Sequence, residues 1–255
     1  MPTEEEIRAA NDRAIEAWQN RPRRQRTSLS LRTPDRSRHF NYADQIELLL
    51  QEDGHRTWGF VIYRTTYGND EDWAEFLKRL RLRMEEAFDF DNGRDILDLF
   101  TLTVIEDREN LDGASTAAIR ERFRQWCTTA KSEQHGGVIG AERAVTRSPR
   151  YRYAIQVDAA SLHSVVYDAP APPEPDITKK GWVKLIDPSW QPISAERNIY
   201  PFEPIEGVTE KDVGWMKVPY QNVMSQHYGE GRELTWWVTN YQRPPTVIGW
   251  PYDDH

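Results

Sequence analysis

The chain has 255 residues, with 41 acidic against 33 basic side chains and a formal net charge of −8. A chain of this length buries a core without staples, and an acidic balance argues against a protein that coats nucleic acid or anionic membrane. A single cysteine, Cys127, excludes an internal disulfide, and ten Trp, eleven Tyr and eight Phe exclude wholesale disorder.

The chain begins MPTEEE, without the basic start and apolar run of a secretory signal. No stretch approaches the roughly 18 consecutive apolar residues of a membrane span; Ile46 to Leu50 is the strongest early apolar cluster. The expectation is a soluble cytoplasmic protein. Ile7, Ala10, Ala14, Ile15 and Trp18 fall near helical spacing, so Glu4 to Trp18 is a predicted helix. Residues 1–39 hold nine Arg against six Asp and Glu. Within 20–39 the Arg alternate with Ser, Thr and Pro and bury too little to offset ordering. This segment is predicted to be an exposed linker. It also suits contact with an acidic partner, or kinase modification at Thr27, three residues after Arg24.

From residue 40 onward a single domain is expected. Arg56 to Tyr67 is rich in aromatic and β-branched residues and predicts a buried strand. Gly68-Asn69-Asp70 ends it and caps a helix, in which Trp73, Phe76, Leu77, Leu80, Met84 and Phe88 form the apolar stripe. Asp91-Asn92-Gly93 is a turn. Ile96 to Ile105 alternates and predicts a second strand. Ser115 caps a helix with Ile119, Phe123, Trp126 and Cys127 inward, and 131–149 reads as a loop. Tyr151 to Val157 predicts a third strand and Asp158 caps a short turn through Leu162. Residues 168–177 form a stiff proline-rich connection. Gly181 to Asp187 predicts a fourth strand. Thr209 and Asp212 open a candidate helix carrying Val213, Trp215 and Met216, and Thr235 to Thr239 a last strand.

The stretch Trp58 to Trp73, WGFVIYRTTYGNDEDW, resembles a family of uncharacterised intracellular proteins of filamentous fungi. There an aromatic strand ending in Arg-Thr-x-Tyr leads into an acidic cap and a Trp-headed helix. The resemblance covers residues 55–110 and implies a source, with no activity attached.

The element order predicts an α+β fold: an open sheet with helices on one face, a ferredoxin-like core with an inserted helix, and a long aromatic-rich C-terminal extension over 188–255. A doubly wound parallel sheet is the alternative.

Local chemical motifs are sparse. No two of the six His have metal-ligand spacing, and placing Gly93 at the sixth position of a calcium loop puts Phe88 and Leu99 at liganding positions. No metal site and no cofactor is expected. Cys127 lies on an apolar helix stripe, as a buried inert thiol does. There is no G-x-S-x-G elbow behind His135-Gly136-Gly137, and Gly136 to Gly140 lacks the strand and Lys-Ser/Thr of a phosphate loop. The strand aromatics lack the basic pattern of an RNA-binding sheet.

Two features remain. Twelve rings crowd between Trp182 and Tyr252, either wrapping a sheet face or lining a cleft for a small apolar ligand or a Pro-rich peptide of a partner protein. Strand alternation puts Arg64 on the face of Trp58, Phe60 and Ile62. A buried guanidinium there needs a carboxylate, a carbonyl or a bound anion. The expectation is a non-catalytic binding or interaction module with Arg64, Tyr67, His163 and Trp182 at its ligand site. The alternative is an enzyme acting on a small organic molecule through scattered residues.

Overall fold

The computed structural model describes residues 41–135, 148–193 and 202–249, together with Arg32 and, near the N-terminus, Thr3, Glu5, Arg8, Ala9, Asp12, Arg13 and Glu16; the side chains of Ser132 and His135 are outside the description. Five strands form one mixed open sheet in the order β2-β1-β3-β4-β5. They are β1 (Val61–Arg64), β2 (Thr103–Ile105), β3 (Ala154–Val157), β4 (Trp182–Ile186) and β5 (Trp215–Pro219). Strand β1 pairs in parallel with both β2 and β3, whereas β4 runs antiparallel to β3 and to β5.

Among the helices, α1 is Tyr42–Asp53, α2 Asp70–Phe90, α3 Arg108–Leu111, α4 Thr116–His135 and α5 Pro149–Arg152. Later come α6 (Ala159–His163), α7 (Gln226–Glu230) and α8 (Trp236–Asn240). Helix α2 links β1 to β2, and α4 links β2 back past β1 to β3. The path reverses direction along the sheet, so crossovers of one hand put the two helices on opposite faces. The core records this. Trp73, Phe76, Leu80 and Met84 of α2 pack with Ile62, Ile155 and Val183. Ile119, Phe123 and Cys127 of α4 pack with Val61, Tyr63 and Ala154 on the other side.

Two fold expectations are thereby corrected. Helices cover both faces rather than one. The core is not ferredoxin-like either, because a second helical crossover rather than a hairpin follows β2 and leaves three neighbouring parallel strands. The doubly wound alternative describes this first half, and the antiparallel β4 and β5 complete the sheet. The residues after 188 are not an added wrapping. They supply β5, and the rings of Tyr220, Tyr228, Trp236 and Trp237 lie in the main core.

Several elements differ locally. Ile96 to Leu99 belongs to a 3₁₀ turn (Arg94–Leu99). Ile96 and Leu99 lie one such turn apart, and the Trp58 indole N–H donates to the Ile96 carbonyl at 2.8 Å. Thr235 to Thr239 is not a strand: residues 236–240 are the helix α8. Adjacent Trp236 and Trp237 are both buried, which a strand's two-sided alternation disfavours when one face is solvated. The candidate helix after Thr209 is instead β5, where Met216 and Val218 alternate with Trp215 and Lys217. The third strand starts only at Ala154, because Tyr151 sits in α5. Helix α4 runs five residues into the expected loop, to His135; the rest of that segment through 147, including the Gly136–Gly140 run, is outside the described residues. The cap at Ser115, the turn begun by Asp158 and the strand after Gly181 are present. No helix among the described residues is long and apolar enough to cross a membrane.

Arg32 departs from the solvated reading of 20–39. Its side chain is fully buried, hydrogen-bonded to Asp44, to Glu47 at 2.6 Å and to Asp95 at 3.0 Å. Its carbonyl accepts from the Asn92 amide at 2.7 Å. The other residues of 20–39 are outside the described residues. Glu5, Arg8, Ala9, Asp12, Arg13 and Glu16 are helical. Asp44 and Glu47 are themselves buried, so removing the cation leaves two carboxylates in a dry site. Arg32→Met is expected to cost about 3–5 kcal/mol and to lower the melting temperature by about 10 °C. Thermal unfolding checks this; a shift under about 2 °C would show that the triad contributes nothing.

Candidate ligand site at the carboxyl ends of the strands

In a sheet of order 2-1-3, the crossovers diverge between β1 and β3, and a crevice opens at their carboxyl ends. Arg64 and Thr65 leave β1 there, and Val157 and Asp158 leave β3. The predicted Arg64 and Tyr67 do meet at this end. The Arg64 guanidinium stacks over the Tyr67 ring at 4.5 Å and the Trp73 ring at 5.0 Å. It bonds Asp70 and donates to the Thr66 carbonyl at 2.9 Å, with Glu106 at 3.7 Å. The Tyr67 hydroxyl accepts from the Asp107 amide. Arg64 is therefore satisfied by its own chain. Asp70 and Glu106 are largely exposed, so water solvates them once Arg64 is gone. Arg64→Met is expected to lose only about 1–2 kcal/mol in urea unfolding; a loss above 3 would mean that the carboxylates are desolvated.

His163 lies apart from this pair, exposed on α6. Its ring rests against Tyr167, whose hydroxyl donates to Asp72 at 2.7 Å. Trp182 belongs to the opposite sheet face. The four predicted residues do not form one site.

What does converge is a row across four strands on the α4 face: Tyr63, Gln156, Lys184 and Lys217 are direct cross-strand neighbours. The two lysines come from matching segments, Trp182-Val183-Lys184 on β4 and Trp215-Met216-Lys217 on β5. Antiparallel pairing sets each lysine diagonally from the other strand's tryptophan. The Lys217 ammonium lies 3.7 Å from the Trp182 ring centroid and the Lys184 ammonium 4.3 Å from that of Trp215. Two lysines directly opposite on a sheet repel one another. Asp158 at 3.0 Å and Glu206 at 3.1 Å both compensate Lys184. Among the described residues no carboxylate lies within ion-pair distance of Lys217. Burial pulls its ammonium below the ordinary value; Asp158 opposes and Lys184 reinforces the shift. Burial would raise Asp158, but Lys184 and the Ser161 amide outweigh it and hold the carboxyl below its usual range.

On the same sheet face, three buried polar atoms have no protein partner: the Tyr63 hydroxyl, the Gln156 carbonyl oxygen and the Trp215 indole nitrogen. The Gln156 amide nitrogen is engaged, donating to the Ala114 carbonyl at 2.8 Å and to Thr65 at 3.2 Å. Buried orphans of this kind are uncommon in native cores. The sequence signal for the site was the repeated Trp-x-Lys on two alternating strands; the second was hidden because β5 read as a helix. Cys127 lies on the same side of the sheet, and burial pushes its thiol up to about 11, where it is inert.

Two hollows lie elsewhere. A cleft of about 730 Å³ separates α1 from α7 and α8, but its Arg232 is paired with Glu52 and its Trp236 with Glu230. A cavity of about 240 Å³ adjoins His227, Gln221 and Asn222. Both ring nitrogens of His227 are buried without a partner. Burial, helped by Lys179, pulls its pKa down to about 4. Between pH 6.5 and 4 the unfolded chain takes up a proton here that the native protein refuses, so stability falls as pH drops through that window. From pH 7.5 to pH 5, wild type is expected to lose about 2 kcal/mol more than His227→Phe. Parallel stability–pH curves for the two proteins would refute this.

Among the described residues no group of three His, Cys, Asp or Glu side chains is placed to hold a metal ion. Compared with family models, curated proteins and solved structures, the chain matches none.

Proposed function

We propose that this chain is a non-catalytic binding module whose small ligand enters the crevice on the α4 face. There it lies against the Trp182 and Trp215 rings and presents a negative group to the lysine pair. The opposition of Lys184 and Lys217 carries this reading. Like charges placed side by side cost stability, and such departures from local consistency concentrate at functional sites. The flanking rings add area for a planar or apolar body, in keeping with the expected aromatic-lined surface. Native mass spectrometry of the full chain purified from its own source tests the proposal. Wild type is expected to retain a small molecule that Lys217→Met loses. Bare protein in both preparations, or equal retention, counts against it.

The second reading, an enzyme, is favoured by Lys217 alone. An ammonium lowered by burial and a neighbouring cation has a larger neutral fraction, as nucleophilic amines require. Borohydride added to the ligand-loaded protein separates the two. For a ligand that carries a carbonyl, the Lys217 amine condenses with it to an imine with loss of water, and borohydride reduces that imine to a stable secondary amine; this adduct supports the enzyme, and its absence supports the binding module.

A further inference from the structure

A strained turn reaches into the crevice from above. Ile205 and Val208 exchange backbone hydrogen bonds of 3.0 and 2.9 Å around a two-residue tip. Glu206 and Gly207 at that tip have φ of 49° and 82°. Both central residues of such a turn need positive φ, which suits Asn-Gly and strains a glutamate by about 1 kcal/mol. The turn itself does not need a carboxylate; the crevice receives one. Glu206 accepts from the Thr116 hydroxyl and, at 3.4 Å, from the Thr116 amide, while its other oxygen lies 3.1 Å from the Lys184 ammonium. Its partners are thus a cation, a hydroxyl and the first amide of the 20-residue α4, the set that holds an anion at a helix start.

A second observation points past Glu206. Gln156 is almost wholly buried, and its amide nitrogen bonds Ala114, two residues before Thr116. Its carbonyl oxygen, and the neighbouring Tyr63 hydroxyl, still lack partners. Glu206 therefore satisfies the charged members of the row and leaves two buried polar atoms of its cross-strand neighbours without partners.

We propose that Glu206 is a displaceable internal carboxylate, and that the ligand is a small hydroxycarboxylate. The ligand's carboxylate replaces Glu206 at Lys184 and Thr116, and its hydroxyl donates to the Gln156 oxygen. This rests on the binding-module reading of the crevice. A carboxylate fits better than phosphate, because Asp158 also faces Lys184 at 3.0 Å and a dianion would meet that negative charge twice over.

The test titrates lactate, and separately inorganic phosphate, into the full chain by calorimetry. Glu206→Gly removes the carboxylate and relieves the turn; Glu206→Gln removes the charge alone and guards against a folding artefact. Both variants are expected to bind lactate about tenfold more tightly than wild type, because an internal competitor has gone. Adding Lys184→Met to either variant is expected to abolish that binding. Equal lactate affinity in wild type and both variants overturns the displacement while leaving the binding module standing. Tightening with phosphate but not lactate overturns the ligand class. No binding of either anion to any protein, together with bare wild type from the native source, overturns both readings.

Discussion

The parallel pairing of β1 with both of its neighbours is the constraint from which the rest of the molecule follows. A strand hydrogen-bonded on both edges in parallel cannot be joined to its partners by hairpins. Each connection must cross a face, and together they cover both. Every residue of β1 and β3 is accordingly buried, so a polar group on them costs stability unless it is partnered, and the Tyr63 hydroxyl and Gln156 carbonyl oxygen are the two side-chain atoms there that are not. The two ends of the strands meet this demand differently. At the amino end Arg150, itself buried, donates to the Gly59 carbonyl and to the Thr103 hydroxyl, each at 2.6 Å, and closes the sheet. At the carboxyl end the connections separate, and ionisable groups on Asp158, Lys184 and Glu206 fill the space between them.

The sequence shows this frame where one periodicity dominates. Helix α2 carries an uninterrupted apolar stripe behind an Asn69 cap that accepts from the Glu71 amide, so its stripe and its start were both legible. Strands β1 and β4 were legible as short apolar runs bounded by turn residues. Strand β5 was not: it holds Pro219 and a single tryptophan, Trp215, close after an acidic Thr-x-x-Asp, and its alternation emerges only when it pairs with β4. Helix α1 was read merely as an apolar cluster. Its cap at Asn41 and the left-handed Gly54 at its end are local signals that were present. Arg64 was placed on the correct face; its hydrogen-bond partners Thr66 and Asp70 came from the adjoining loop and helix start, and Glu106 came from the end of β2. Only the Trp-x-Lys repeat of the lysine row was written in the sequence; strand order and register, not spacing along the chain, bring Tyr63, Gln156, Lys184 and Lys217 together.

Cations over rings recur throughout the molecule, and their chemistry divides by residue type. Arg120 stacks on Trp190 at 4.7 Å while donating to the carbonyls of Asp187 and Gly214. A side chain at Gly214 would collide with both, its Cβ lying 2.4 Å from the guanidinium and 2.6 Å from the indole. Arg79 and Arg152 likewise donate to loop carbonyls. The planar fork of a guanidinium saturates several acceptors at once and fixes one loop against another. These arginines are clamps, and nothing is left over for a ligand.

The lysines of β4 and β5 behave otherwise. An ammonium is a compact charge with no fork to lock, and these two make no backbone clamp. Both nearby acids converge on Lys184, so the uncompensated charge of the pair belongs to Lys217. Lys217 sits on β5, the last strand of the sheet, half-open to solvent with the Trp182 ring on one side; its backbone is bridged on the outer side by Val247, and its carbonyl accepts from the Ile248 amide at 3.0 Å. The positive potential of the row therefore reaches solvent through the Lys217 side chain, with Lys184 further inward. An approaching anion would meet Lys217 and the ring before it competes with Glu206. In the proposed binding module, entry and anchoring would fall to different lysines, Lys217 and Lys184, set against one another on neighbouring strands.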